Sequence, residues 1–356
     1  MKRKSEEAPA PSADAPPPLL ALPRLLTPAL LQRLKMDGAV VIPGVVPPDE
    51  CERLHQDMLD FHHRWEPAID PNSPVTWTSE RRPPGVHGLN QFSGQQQFCW
   101  DVRQHPRVVQ VFSELYGVQP RNLLTSMDGF RFLKAHRKYG RGTWGHTDQG
   151  AHLYDDPYVC VQASVAVTSS ADDADGDFVF WKHGHRAHKG YFDQHPEAVK
   201  GRENWYKYPE EFLLEIQRDG SEYLQKSDPH YGKEEPLPMP RTRIRRNPGD
   251  MVLWYSTTPH QSDAPTVDST HDAACIFVSM APRKYATSKE LEKRIAAFEE
   301  RRTTSHWPIR GFHTFPKRPR LWSKEAITAF DQRNPRVNPP DPELTPLGRR
   351  LVGYVE

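Results

Sequence analysis

The chain has 356 residues, enough to bury a substantial core as one large domain or two small ones. Its 47 lysines and arginines balance 46 aspartates and glutamates, so no charge excess points to a nucleic-acid or membrane partner. The four cysteines (Cys51, Cys99, Cys160, Cys275) form no CxxC pair, which argues against a cysteine zinc site and fits a reducing compartment.

Residues 1–22 are rich in proline, alanine and acidic residues and read as a disordered tail. They lack the apolar segment of a signal peptide, and no run downstream is long and apolar enough to span a membrane. The expected location is therefore intracellular and cytoplasmic, or nuclear if Lys2-Arg3-Lys4 acts as a signal rather than a solvated tail.

Thr27-Pro28 supplies a capping hydroxyl and an N1 proline for a first helix, which Gly38 ends. A short strand, 39–42, follows. A second helix opens at Asp49 and runs to about His63 with Cys51, Leu54, Met58 and Phe61 at helical spacing. A third spans about Pro106–Tyr116 and stops at Gly117.

From about residue 123 to 281 the pattern changes to short β-rich runs: 129–135, 158–168, 178–181, 241–245, 251–255 and 273–280. In the second of these Val159, Val161, Ala163, Val165 and Val167 share one face. Turn signals at 173–177 (DADGD) and 247–250 (NPGD) separate the runs. The expected fold class is mainly β with flanking helices (α+β), the β part a barrel or jelly roll.

Residues 190–240 read as a polar insertion with a helix near Glu210–Gln217. A capping box, Thr287 to Glu290, opens a helix reaching about Arg301. The expected organisation is a tail (1–22), a β domain with its insertion (23–301), and a Pro/Arg-rich extension (302–356). That extension should run extended apart from a short helix near 324–330.

Seventeen histidines prompt a search for metal ligands. In "TWGHTDQG" (143–150), His146 and Asp148 are two apart, so on an extended segment they point the same way. An imidazole and a carboxylate suit Fe(II), Mn or Zn, and a third ligand would leave open positions for chemistry. His55-Gln56-Asp57 repeats the pattern on a helix, where such residues diverge by roughly 200°. His195-Pro196-Glu197 is a near match in the insertion.

Downstream, "NPGDMVLWYSTTPH" launches a strand and presents His260 just beyond its end. Between the two lies "GDFVFWKHGH" (176–185), a strand ending in a tight turn. His183, His185 and His188 are close enough in sequence for a zinc site, though a basic loop is the simpler account. Trp144, Phe92, Phe98 and Trp100 are candidate pocket aromatics or core. Residues 88–100 read as a lid or substrate-recognition segment, or as a plain surface loop.

These pieces, in this order and with "DGAVVIPGVVPPDE" at 37–50, resemble the phytanoyl-CoA dioxygenase family of Fe(II)/2-oxoglutarate-dependent oxygenases over roughly 27–285. The resemblance implies a double-stranded β-helix (jelly roll, cupin-like) core. It implies iron held by His146, Asp148 and His260, with 2-oxoglutarate and O₂ as co-substrates and ascorbate as a further candidate cofactor. The outcome would be hydroxylation of a C–H bond in a small or lipid-like substrate. Related halogenases put a small residue where Asp148 stands, so this chain is expected to oxidise rather than halogenate.

One feature departs from the family. The arginine expected eleven residues beyond the distal histidine is absent: position 271 is histidine, and no arginine lies between Arg246 and Arg283. His271, Lys134 and Gln162 are the candidate co-substrate contacts. Two other readings keep the fold, a non-catalytic jelly-roll binding protein and a cupin-type metal hydrolase. The basic "PKRPRLW" near the C-terminus is the sole hint of nucleic-acid binding, and none is expected. The sequence carries no signal for oligomeric state.

Overall fold

A computed structural model describes residues 23–85, 89–90, 92–140, 142–151, 160–199, 204–226, 228, 231, 236–316, 324–337 and 341–355. The expected tail and its Lys2-Arg3-Lys4 stretch lie outside them.

The elements run α1 (Pro28–Asp37), β1 (Ala39–Ile42), α2 (Pro48–Trp65), β2 (Leu89–Asn90), α3 (Gln97–Arg103), α4 (Pro106–Tyr116), β3 (Leu123–Thr125) and β4 (Phe130–Leu133). Then follow β5 (His146–Thr147), β6 (Val161–Ala166), β7 (Phe178–Trp181), α5 (Ala187–Gln194), β8 (Tyr206–Lys207), α6 (Glu210–Arg218) and β9 (Arg241–Arg243). The chain closes with β10 (Met251–Tyr255), β11 (His260–Ser262), β12 (Ala273–Pro282), α7 (Ser288–Glu299), α8 (Lys324–Val337) and α9 (Pro346–Val352).

Two antiparallel sheets face each other. The larger has the order β1-β10-β6-β12-β4-β2, with β3 also on β12; the smaller has the order β8-β5-β11-β7-β9. Period-two alternation gives each strand of the larger sheet an outer and an inner face. On the outer face Val161, Ala163, Val165, Leu253, Ile276 and Phe130 join α1, α2 and α4 in the main core. On the inner face Val252, Trp254 and Phe277 meet Phe178 and Phe180 of the smaller sheet. This is the jelly roll with flanking helices that the strand pattern predicts.

The start of α1 is as expected, with the Thr27 hydroxyl accepting from Leu30 N and Gly38 left-handed at its end. The 287–290 capping box is complete. The last 55 residues depart from expectation: α8 runs on to Val337, and α9 is a helix that the reading of an extended tail omits. All four cysteines are buried, and none is in a disulfide.

Candidate metal centre

His146 sits on β5 directly opposite His260 on β11, which also pairs with Phe180 of β7. His260 thus begins a short strand rather than lying in a loop. The two imidazole centroids are 4.4 Å apart. Asp148 follows β5 by one residue, and its backbone N–H donates to Ser256 O at 3.0 Å. One ligand atom from each of His146, Asp148 and His260 lies within 4.8 Å of the others, and this is the sole such group of three or more among the described residues.

The surroundings fix which nitrogens face inward. His260 Nδ1 is 2.9 Å from Thr258 O and His146 Nδ1 is 3.3 Å from Trp144 O. A carbonyl only accepts, so each Nδ1 carries the proton and each Nε2 keeps its lone pair. Those Nε2 atoms point at the carboxylate, 3.7 Å from Asp148 Oδ1 for His146 and 3.3 Å from Oδ2 for His260. Trp144 stacks on His146 at 4.3 Å, while Phe178 and Trp254 pack against His260. Gly145 lets the strand pass close: a side chain there would meet the Trp181 ring and Leu213.

Burial works against ionising Asp148, but His306, His146 and His260, in their protonated forms, outweigh it and hold its carboxyl well below the usual carboxylate range. It is therefore a carboxylate at neutral pH. Gln162 Nε2 donates to its Oδ2 at 3.1 Å. Its backbone carbonyl accepts from His306 Nε2 at 2.9 Å and from Trp307 Nε1 at 3.1 Å. Those two residues went unnoticed in the sequence, where they stand amid the Pro/Arg-rich extension with no spacing to tie them to Asp148.

The other candidates fall elsewhere. Gln162 lies at the triad; Lys134 and His271 do not. Lys134 pairs with Asp272 at 3.0 Å, sharing that carboxylate with His55 of α2 on the helix side of the sheet. His271 is 48% exposed and sits 3.5 Å from Asp175. The helical repeat of the motif diverges as its geometry requires, with His55 on Asp272 and Asp57 on Arg53. His195 meets Glu197 at the surface without a third ligand among the described residues.

His183 and His185 reach the last carbonyls of α1, Met36 O at 2.7 Å and Lys35 O at 3.1 Å, and His188 meets the Tyr208 hydroxyl. They cap and pack rather than converge. Phe98 and Trp100 are core, Phe92 packs on Trp65, and Trp144 alone of the four aromatics touches the triad. Of segment 88–100, residues 88 and 91 lie outside the described ones; in the rest Ser93, Gln95 and Gln96 are buried, and Gly94 and Gln95 hydrogen-bond to Thr303 and Arg302.

A cleft of about 1830 Å³ has Trp144, Gln261, Tyr139, Arg131, Arg243 and Phe330 in its walls; it reaches the centre through Trp144, which stacks on His146, while the three ligands themselves do not line it. Between the sheets, Trp254 Nε1 and Ser279 Oγ are buried donors with no partner. Both lie in register with Gln162, one on each neighbouring strand. An oxygen-rich small molecule beside the triad would satisfy them.

A jelly roll that brings together two imidazoles and one carboxylate has the donor set of a non-haem Fe(II) oxygenase. The chain belongs to the phytanoyl-CoA dioxygenase (PhyH) family, which matches residues 34–270. With its His-Asp-His group it is an Fe(II)- and 2-oxoglutarate-dependent oxygenase. It is 24% identical over 277 residues to Ava biosynthesis cluster protein O of Aspergillus versicolor, covering 77% of this chain and 84% of that one. Among solved structures it is similar to EctD from S. alaskensis with 2-oxoglutarate and 5-hydroxyectoine (14% identity, 74% and 78% coverage, TM-score 0.46). It is also similar to HygX from Streptomyces hygroscopicus with nickel and 2-oxoglutarate (12% identity, 74% and 89% coverage, TM-score 0.43).

Proposed function

We propose that the chain hydroxylates an unactivated C–H bond of a small organic molecule bound in the cleft beside Trp144. The observation that carries this reading is the convergence of two imidazoles and a carboxylate, with Trp144 stacked on one ring and also lining the cleft. His146, Asp148 and His260 would hold Fe(II), which with 2-oxoglutarate and O₂ supplies the oxidising chemistry. The protein's part is geometric. The Nδ1 hydrogen bonds lock both rings, Gln162 steadies the carboxylate, and Trp144, Phe178 and Trp254 keep water from the ligands. Asp148 fills the position that a halide would need, which favours oxygen transfer.

The test is O₂-dependent formation of succinate from 2-oxoglutarate by the Fe(II)-loaded protein. Succinate release is expected in the wild type and its loss, by at least about 100-fold, in Asp148→Ala. Metal-dependent hydrolysis without O₂ would overturn the reading in favour of a hydrolase.

A further inference from the structure

The missing arginine leaves open what holds the far end of 2-oxoglutarate. This inference rests on the oxygenase reading above. His271 and Lys134 are engaged with Asp175 and Asp272, away from the triad. Two buried arginines, however, reach the space between the sheets.

Arg246 is already neutralised. Its Nε and Nη2 engage both carboxylate oxygens of Asp177, and its Nη1 donates to Ser164 O and Oγ at 3.0 and 2.9 Å. Arg131 is different. It alternates on β4 with Phe130 and Phe132, which face the helices, so its side chain points inward. It is 3% exposed. It donates only to backbone carbonyls, Gly176 O at 3.4 Å and Asp263 O at 2.6 Å. Its Nε is buried with no partner, and no carboxylate among the described residues forms an ion pair with it. Burial draws the Arg131 guanidinium down, whereas for Arg246 Asp177 outweighs burial and draws it up.

The register connects Arg131 to the triad. Arg131 pairs with Cys275 on β12, and Cys275 pairs with Ala166 on β6. Two residues along on the same inner face lie Phe277 and Ser164, and two further lie Ser279 and Gln162, the residue that holds Asp148. Four residues of strand cover roughly 13 Å. A five-carbon dicarboxylate and the reach of an arginine side chain together span that gap. The inner face therefore carries, at one end, a buried guanidinium with an open Nε and no ion pair among the described residues, and at the other unpartnered Trp254 Nε1 and Ser279 Oγ beside the metal ligands.

We infer that Arg131 binds the distal carboxylate of the 2-oxo acid, replacing the arginine that position 271 lacks. The charge comes from β4 instead of the segment before β12, and it enters the same interior through the neighbouring strand.

The test uses the full chain, loaded with Fe(II) under anaerobic conditions and titrated with either 2-oxoglutarate or 2-oxopentanoate. The second acid has the same chelating head and chain length but no distal carboxylate. The readout is the visible charge-transfer band of the chelate. Wild type is expected to prefer 2-oxoglutarate by at least about 100-fold. Arg131→Gln should abolish that preference by weakening 2-oxoglutarate alone, with 2-oxopentanoate changed by less than about threefold. Arg131→Lys, which keeps the charge and loses the fork, should cut the preference by about tenfold and serves as the test if the Gln variant does not fold. Unchanged preference in either folded variant overturns the role of Arg131, as does equal weakening of both acids. A wild type that binds Fe(II) but gives no band with either acid overturns the oxygenase reading itself.

Discussion

Each metal-facing imidazole is committed through its far nitrogen. Thr258 O and Trp144 O hold the Nδ1 protons, so the Nε2 lone pairs face Asp148 without a tautomer change. Asp148 is in turn held by Gln162. Gln162→Leu keeps most of the volume and removes the donor, so Fe(II) affinity should fall about tenfold with little change in thermal stability, measured by anaerobic metal titration. At this scale the sequence was partly readable. His146 and Asp148 stood out because i, i+2 spacing on an extended segment has geometric meaning, and Gln162 because it alternates with small apolar residues on a strand. Arg131 did not stand out. In "FRFLK" an inward arginine and an inward leucine read alike until the partner sheet shows which face is the interior.

The two strands that carry the metal-facing histidines are among the shortest in the molecule. β5 has two residues and β11 three, too few for a periodicity, so their pairing was invisible in sequence although both histidines were not. α3 was missed for a different reason: it is only seven residues long, Gln97–Arg103, and Gln96 supplies no capping bond to mark its start. α9 has the same Thr-Pro start as α1, with Gly348, a poor helix former, in its interior. A side chain at 348 would displace the Gln104 carboxamide, whose oxygen accepts from Thr345 N at the start of the helix. The segment 303–307 carries the most consequence for the metal centre, since His306 and Trp307 both donate to the Asp148 carbonyl. Trp307→Phe removes one of these bonds and keeps an aromatic ring. It should weaken Fe(II) binding by about tenfold, whereas a change confined to thermal stability would show that the segment only packs.

Across the whole molecule, buried ionisable groups set the response to pH. Burial pushes His62 and His185 down to about 4 and His188 to about 3. The unfolded chain protonates them near 6.5, so between about pH 6.5 and 4 it binds more protons than the native state. Stability should therefore rise with pH across that window and fall steadily on acidification. Urea unfolding from pH 7 to 5 checks this. His62→Phe, which keeps a ring against Trp77 and Phe132, should flatten the slope by close to one proton. The Arg246–Asp177 pair acts lower. Burial raises the Asp177 carboxyl, but Arg246 outweighs it and leaves it depressed, so its contribution is full above the ordinary carboxylate range and is lost as pH falls below it. Asp177→Asn would strand a buried guanidinium and should cost about 3–5 kcal/mol, read by the same unfolding experiment.

The central claim is that His146, Asp148 and His260 hold Fe(II) in a geometry that accepts 2-oxoglutarate. The most direct measurement is an anaerobic absorption titration of the purified chain with Fe(II) and then 2-oxoglutarate, in wild type and His146→Ala. A visible charge-transfer band that saturates in wild type and is absent in the variant is the predicted result. Iron bound with no band in wild type, or a band of equal strength in the variant, would contradict it.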